Sequence, residues 1–177
     1  MVLIKKESLS IIMNHDNKIQ YKEITNLDYI NWMKSILRRS EEVGKAELPI
    51  TAFIIDDKGR CIGRGSNKRE TNNDPLGHAE LVALRQAAWI KNDWRFNECS
   101  MIVNLEPCTM CAAALVQARI GEVIFGAEDD KRGGFGGTVD LSKHKSAHHK
   151  MHIKGGILDK ECKSKIKIWF KKLRNQK

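Results

Sequence analysis

The amino-acid sequence predicts an α/β protein, because helix-like and strand-like segments alternate along the middle of the chain. Its 177 residues are enough for one domain with a sizeable core, and 41% of them are hydrophobic. We therefore expect one main domain over residues 27–177. Residues 1–26 show mixed polarity and weak periodicity, so they are predicted to be an N-terminal extension.

The first predicted elements of the main domain are a helix and a hairpin. Apolar residues recur at helical spacing from Leu27 to Leu37, and Gly44 is placed to end this helix. The runs PITAFIID and RCIGRGS are rich in β-forming residues, and the DKG between them is a tight-turn signal. This stretch is therefore predicted to form a pair of antiparallel strands.

Helices and strands are predicted to alternate through the following sixty residues. HAELVALRQAAWIKN indicates a second helix and CSMIVNL a third strand. CTMCAAALVQARI then indicates a third helix, and EVIFGA a fourth strand. This alternation is typical of layered α/β proteins.

The last part of the domain is predicted to contain a loop, a short strand and a helix. The glycine-rich RGGFGGTVD lacks the GK[ST] of a phosphate-binding loop and is predicted to be flexible. A short strand near MHIKGG is followed by helical spacing of apolar residues. The buried side of this C-terminal helix is predicted to contain Leu158, Cys162, Ile166, Trp169 and Leu173.

Charge and composition restrict the possible partners. The chain contains 31 Lys and Arg against 22 Asp and Glu, a formal net charge of +9, which suggests a polyanionic partner such as nucleic acid, with a solvated basic surface as the alternative. No apolar run approaches a membrane span, no secretory signal is apparent, and five cysteines are too few for a disulfide scaffold, so we expect a cytoplasmic protein.

Basic residues are dense near the C-terminus, interleaved with Trp169 and Phe170: Lys154, Lys160, Lys163, Lys165, Lys167, Lys171, Lys172, Arg174 and Lys177.

Cys108 and Cys111 lie at the start of the third predicted helix, where three interpretations compete. A C-x-x-C pair there suits a redox dithiol, a structural zinc site or a catalytic zinc site. His78 opens the preceding helix, and in layered α/β folds such helix N-termini meet at the carboxyl edge of the sheet. One imidazole and two thiolates leave the fourth position of zinc open, which favours a catalytic site.

Glu80 follows His78 by two residues, so the two side chains point in different directions from one helix. One can bind a metal while the other faces the open position and transfers protons. The alternative is that Glu80 only stabilises the positive end of the helix dipole.

The motifs GHAE at 77–80 and EPCTMC at 106–111 resemble the H-x-E and P-C-x-x-C signature of zinc nucleoside and nucleobase deaminases. Over residues 27–174 the chain is similar to the bacterial tRNA-specific adenosine deaminases. The resemblance implies a three-layer α/β/α fold with a central mixed sheet of about five strands, and a homodimer. It also implies one Zn²⁺ per chain and hydrolysis of adenosine to inosine at the wobble position of a tRNA anticodon, with Glu80 as the proton carrier.

The same resemblance implies four substrate contacts. Asn67 matches an asparagine that can donate to and accept from a flipped purine, although it could be a turn residue. Asp129 and Lys131 match positions that contact the anticodon nucleotides, and Phe170 matches an aromatic residue that could stack on a base or pack in the core.

Two other functions stay open at this point. A deaminase of free guanine or cytosine would share Glu80 and the zinc site, but it would not need the basic C-terminus. A zinc-stabilised RNA-binding module would use the metal only to hold its fold. His148 and His149 are expected at the surface or in contact with RNA rather than among the zinc ligands.

Overall fold

A computed structural model describes residues 26–43 and 45–175 of the chain. Four helices and five strands follow one another within these residues. In chain order they are α1 (Asn26–Ser40), β1 (Thr51–Ile55), β2 (Cys61–Ser66), α2 (Ala79–Lys91), β3 (Ser100–Leu105), α3 (Thr109–Gln117), β4 (Glu122–Ala127), β5 (His152–Lys154) and α4 (Asp159–Arg174).

The five strands form one mixed sheet in the order β2-β1-β3-β4-β5. β1 pairs antiparallel with both β2 and β3, as the predicted hairpin requires, whereas β3, β4 and β5 are parallel. The carboxyl ends of β2, β3 and β4 therefore lie at the same edge of the sheet. The chain segments that leave these strands meet there.

Helices cover both faces of the sheet, because alternate side chains of each strand point to opposite faces. On one face, Ile54 and Val103 pack in a buried cluster with α2 and α3 residues such as Ala83 and Leu115. On the other face, Phe53 and Ile102 pack in a second cluster with residues of α1 and α4. The structure confirms the expected three-layer α/β/α fold with a mixed sheet of five strands.

Two glycines bring α2 unusually close to the sheet. A Cβ atom added at Gly65 would lie 1.9 Å from the carbonyl oxygen of Ala79, and one at Gly63 would lie 2.5 Å from that of Ala83. Any side chain larger than hydrogen would push α2 away from β2. These two glycines therefore determine how closely α2 packs on β2. The helix begins at Ala79, directly after His78.

Several expectations can be compared directly with the fold. Residues 1–25 of the predicted N-terminal extension and the predicted helix-ending Gly44 lie outside the described residues. The prediction of a flexible glycine-rich loop is wrong, because Gly133, Gly134 and Phe135 are buried and hydrogen-bonded. Among the described helices, none has the length and apolar character to cross a membrane.

Candidate active site

The site lies where α2 and α3 begin, at the carboxyl edge of the sheet. His78 and Cys108 occupy the residue immediately before each helix, both with extended backbone, and Cys111 lies in the first turn of α3. Both helices therefore direct their unpaired N–H groups and their positive dipole ends toward this point. Such an environment favours anionic ligands, as thiolates are.

His78, Cys108 and Cys111 meet in the geometry of a zinc site. Nδ1 of His78 lies 3.6 Å from Sγ of Cys108 and 3.5 Å from Sγ of Cys111, and the three ligand atoms all lie within 4.8 Å of one another. Zn–N distances of about 2.0–2.1 Å and Zn–S distances of about 2.3 Å at tetrahedral angles require N···S separations of about 3.5 Å. The three side chains therefore fit one zinc ion per chain.

A hydrogen bond between the two thiols determines which of them keeps its proton. The pKa of Cys108 is lowered to about 4, chiefly because the Cys111 thiol donates a hydrogen bond to it. The same bond retains the Cys111 proton and raises the pKa of that thiol. The pKa of His78 is raised by its hydrogen bond with Cys108. A coordinated thiol is deprotonated, so a bound cation would release the proton that the two sulfurs share.

Glu80 lies in the first turn of α2 with only 4% of its surface exposed. Burial raises the pKa of its carboxyl to about 7, and the negative charge of Cys108 adds to this effect. A carboxyl with a pKa near neutrality can both accept and donate a proton under physiological conditions. The chemistry at Glu80 is therefore suited to proton transfer beside the three ligands.

Asn67 follows β2 directly and reaches the start of α2. Its side-chain oxygen accepts a hydrogen bond of 3.2 Å from the backbone N–H of Ala79, one of the N–H groups that the helix itself cannot pair. The backbone of Asn67 donates to Ile50. The side-chain oxygen thus has a structural partner, while the amide group still offers its N–H donors.

Asp129 and Lys131 lie in the loop after β4. This loop contacts Pro107 and Cys108, the residues just before α3, which we call the zinc-ligand turn. Oδ1 of Asp129 accepts hydrogen bonds from the backbone N–H groups of Lys131 and Arg132, at 3.0 and 3.1 Å. The carboxylate therefore builds the turn that exposes the Lys131 side chain. Gly133, two residues further on, pairs with Cys108 in an isolated β-bridge, which joins this loop to the metal ligands.

Phe170 and His149 have different surroundings from the zinc ligands. Phe170 is 46% exposed on α4 and contacts Trp169 edge-to-face, so it is not a core residue. The Nε2 atom of His149 lies 2.8 Å from the carbonyl oxygen of Ile120, which anchors the loop before β5. His149 thus has a structural partner, and neither residue belongs to the ligand group.

Two buried polar residues at this edge were missed by the sequence analysis. Asn104, in β3, accepts from the backbone of Thr51 and donates to the carbonyl of Pro49, each at 2.9 Å, so it joins β3 to the start of β1. Glu106 accepts three backbone hydrogen bonds from the loop after β4. A polar residue within or directly after an apolar strand, as in MIVNLE, was the available signal.

Sequence comparisons agree with this geometry. The profile of the MafB19-like deaminase family matches residues 27–172. A tRNA-specific adenosine deaminase of Haemophilus influenzae is 36% identical over 139 residues, which is 78% of this chain and 79% of the relative. A tRNA-specific adenosine deaminase of Bacillus subtilis is 33% identical over 147 residues, 82% of this chain and 91% of the relative.

Comparison of the fold gives the same result. A solved structure from a study of A-to-I editing by tRNA:A34 deaminases superimposes with a TM-score of 0.73 and 33% identity, covering 76% of this chain and 98% of the other. The guanine deaminase of Nitrosomonas europaea shares only the fold, with a TM-score of 0.65 and 15% identity over 93% of this chain and 97% of that one. On the zinc-ligand geometry, the fold and this similarity, the chain belongs to the tRNA-specific adenosine deaminases of the cytidine deaminase superfamily.

Proposed function

We propose that the protein hydrolyses adenosine to inosine at the wobble position of a tRNA anticodon. The observation that carries the proposal is the group of His78, Cys108 and Cys111 at two helix N-termini, with the buried carboxyl of Glu80 beside it. Three ligands leave one zinc position open for water, as in catalytic rather than structural sites. Membership of the tRNA-specific adenosine deaminases supplies the substrate.

Each part of the site has a defined task in this reaction. Zinc, when bound by the three ligands, supplies the Lewis acid that makes water a nucleophile near neutral pH. Glu80 carries the protons: it takes one from the attacking water, delivers it to N1 of the adenine ring and assists the departure of ammonia from C6. Its burial keeps bulk water away from this carboxyl.

We propose that α4 guides the RNA backbone. Lys160, Lys167, Lys171 and Arg174 are exposed and lie within about 60° of arc on this helix, and we call them the basic face of α4. Among the described residues, none of the four forms an ion pair, whereas Lys163 pairs with Asp159 and Lys165 with Glu41. Cations without acidic partners can neutralise phosphates.

The experiment compares RNA and free bases as substrates. The zinc-loaded protein is incubated with the anticodon stem-loop of the cognate tRNA, and the digested nucleosides are separated by mass. We expect inosine at the wobble position and none when the wobble adenosine is replaced by guanosine. Deamination of free guanine or cytosine without activity on RNA would contradict the proposal and support the free-base alternative.

We also propose that the enzyme is a homodimer and works in the cytoplasm, where tRNA is used. Large apolar side chains are exposed on the described surface, including Trp89 at 83%, Ile90 at 52% and Trp94 at 51%. A second copy would remove such surface from water. Light scattering should give twice the chain mass of 20.2 kDa, and a mass of one chain at micromolar concentration would contradict the dimer.

A further inference from the structure

Glu106 is a buried carboxylate that the proposed chemistry does not use. It lies between β3 and Pro107, two residues before Cys108, and is 2% exposed. Its Oε2 accepts a hydrogen bond of 3.0 Å from the backbone N–H of Asp129. Its Oε1 accepts from the N–H groups of Phe135 and Gly137, at 2.9 and 3.0 Å. One side chain thus accepts three backbone hydrogen bonds from residues that lie 23 to 31 positions further along the sequence.

A carboxylate suits this arrangement better than an amide. All three partners are donors, and a carboxylate offers acceptors on both oxygens, whereas an amide has one oxygen and an NH₂ group. In glutamine at this position, the NH₂ would face either the N–H of Asp129 or those of Phe135 and Gly137. Hydrogen bonds to a charged acceptor are also stronger than those between neutral groups.

The glycines of the loop allow its backbone to close around the carboxylate. We call residues 128–138 the glycine loop. A Cβ atom added at Gly133 would lie 2.3–2.4 Å from the carboxylate atoms of Glu106. One at Gly137 would lie 2.1 Å from the carbonyl oxygen of Asp129. Contacts this short exclude any residue larger than glycine at these positions unless the loop moves. The glycines of RGGFGG therefore allow the loop to pack closely on Glu106.

The glycine loop also contacts the zinc-ligand turn directly. The backbone N–H of Gly134 donates to the carbonyl of Pro107 at 2.9 Å, and Gly133 pairs with Cys108 in the isolated bridge. Glu106 therefore lies between two groups of residues. On one side is the turn that leads to the metal ligands, and on the other is the turn that presents Asp129 and Lys131.

We propose that Glu106 is a positioning residue for the RNA substrate, which holds the glycine loop so that Asp129 and Lys131 are ordered before the anticodon binds. This inference rests on the proposed function, because it assigns an RNA-contacting task to that loop. Ordering a loop in advance lowers the entropic cost of binding. Loss of this order should weaken substrate binding much more than it slows the chemical step at Glu80.

The test uses Glu106→Gln, with Glu122→Gln as the matched control. Glu122 accepts hydrogen bonds from Tyr29 and Ser100 at the opposite end of β4, so its substitution also removes a charged acceptor, but far from the loop. With zinc content equal to wild type, Glu106→Gln should raise KM for the stem-loop about tenfold and change kcat less than about threefold. Glu122→Gln should leave both constants unchanged.

Two further measurements separate positioning from a general loss of stability. Trypsin should cleave Glu106→Gln after Lys131 and Arg132, which are exposed, faster than it cleaves wild type or Glu122→Gln under native conditions. In a cycle with Lys131→Ala, the effect of Glu106→Gln on KM should shrink, because both changes remove the same contact. Unchanged cleavage, fully additive effects on KM, or loss of zinc from Glu106→Gln would each overturn the inference.

Failure of the proposed function gives a different result. If wild-type protein forms no inosine from the stem-loop, the assignment to tRNA is wrong whatever Glu106 does. If wild type is active and Glu106→Gln retains the wild-type KM, only the role of Glu106 is wrong.

Discussion

We expect turnover to depend most directly on Glu80. An amide of the same shape can occupy its buried position in α2, but an amide cannot carry protons at neutral pH. We predict that Glu80→Gln lowers kcat for inosine formation by about 10²–10⁴-fold, while zinc content and the Kd for RNA stay at wild-type values. Single-turnover assays, metal analysis and filter binding measure the three quantities.

The control for this prediction is Glu98→Gln, an exposed carboxylate at the other edge of the sheet, which should keep full activity. A fully active Glu80→Gln would mean that the carboxyl serves only the helix dipole. That result would favour the alternative in which the protein is a zinc-stabilised RNA-binding module without catalysis.

Asn67 can be tested for a substrate role separately from its role at the start of α2. Aspartate keeps an oxygen to accept from Ala79, and its charge suits a helix N-terminus, but it lacks the amide donors. We predict that Asn67→Asp keeps the wild-type Tm and zinc content and raises KM about tenfold. A tenfold change corresponds to a loss of about 1.4 kcal/mol in binding free energy, as expected for a lost hydrogen bond. Asn67→Ala should lower the Tm as well. A wild-type KM in Asn67→Asp would assign Asn67 to the turn alone.

At the scale of single elements, α4 should determine how binding depends on salt. Each phosphate neutralised on single-stranded RNA contributes about −0.7 to the slope of log K against log salt concentration. Replacing Lys160, Lys167 and Lys171 by glutamine should therefore make this slope shallower by about 2. The matched control is Lys163→Gln on the same helix, since Lys163 already pairs with Asp159 at 2.8 Å. Equal slopes in wild type and triple variant would exclude the basic face as a phosphate contact.

The elements themselves could be predicted because their signals are local. The hairpin signal around DKG corresponds to β1 and β2, and the apolar spacing after Leu158 corresponds to α4. The helix with the two cysteines begins at Thr109, directly after Cys108. Periodicity and turn residues act over a few positions, so a single sequence contains this information.

The glycine loop shows what local signals cannot supply. Its composition predicts flexibility, but its conformation depends on Glu106, whose hydrogen bonds span 23 to 31 positions of sequence. The same holds for Asn104, which contacts residues more than fifty positions away. The zinc ligands were an exception, because the chemistry of imidazole and thiolate pairs them regardless of their separation.

At the scale of the whole molecule, the zinc site joins two parts of the chain about thirty residues apart. His78 precedes α2, which lies on β2, and the two cysteines belong to α3, which follows β3. Both helices pack on the same face of the sheet. A bound ion would therefore stabilise the relative positions of two helices as well as the catalytic centre.

Removing the metal should accordingly lower the stability of the whole domain. A ligand present at 1,000 times its Kd stabilises the folded state by about 4 kcal/mol, and 1 kcal/mol shifts the Tm of a domain this size by about 2–4 °C. We predict that a chelator lowers the Tm by roughly 8–16 °C and that added zinc restores it. Cys61→Ser, a cysteine in β2 away from the ligands, should show the full shift, whereas Cys111→Ser should show almost none. Because Cys111 is one of the three expected ligands, a chelator effect that persists in Cys111→Ser would mean that the ion binds elsewhere.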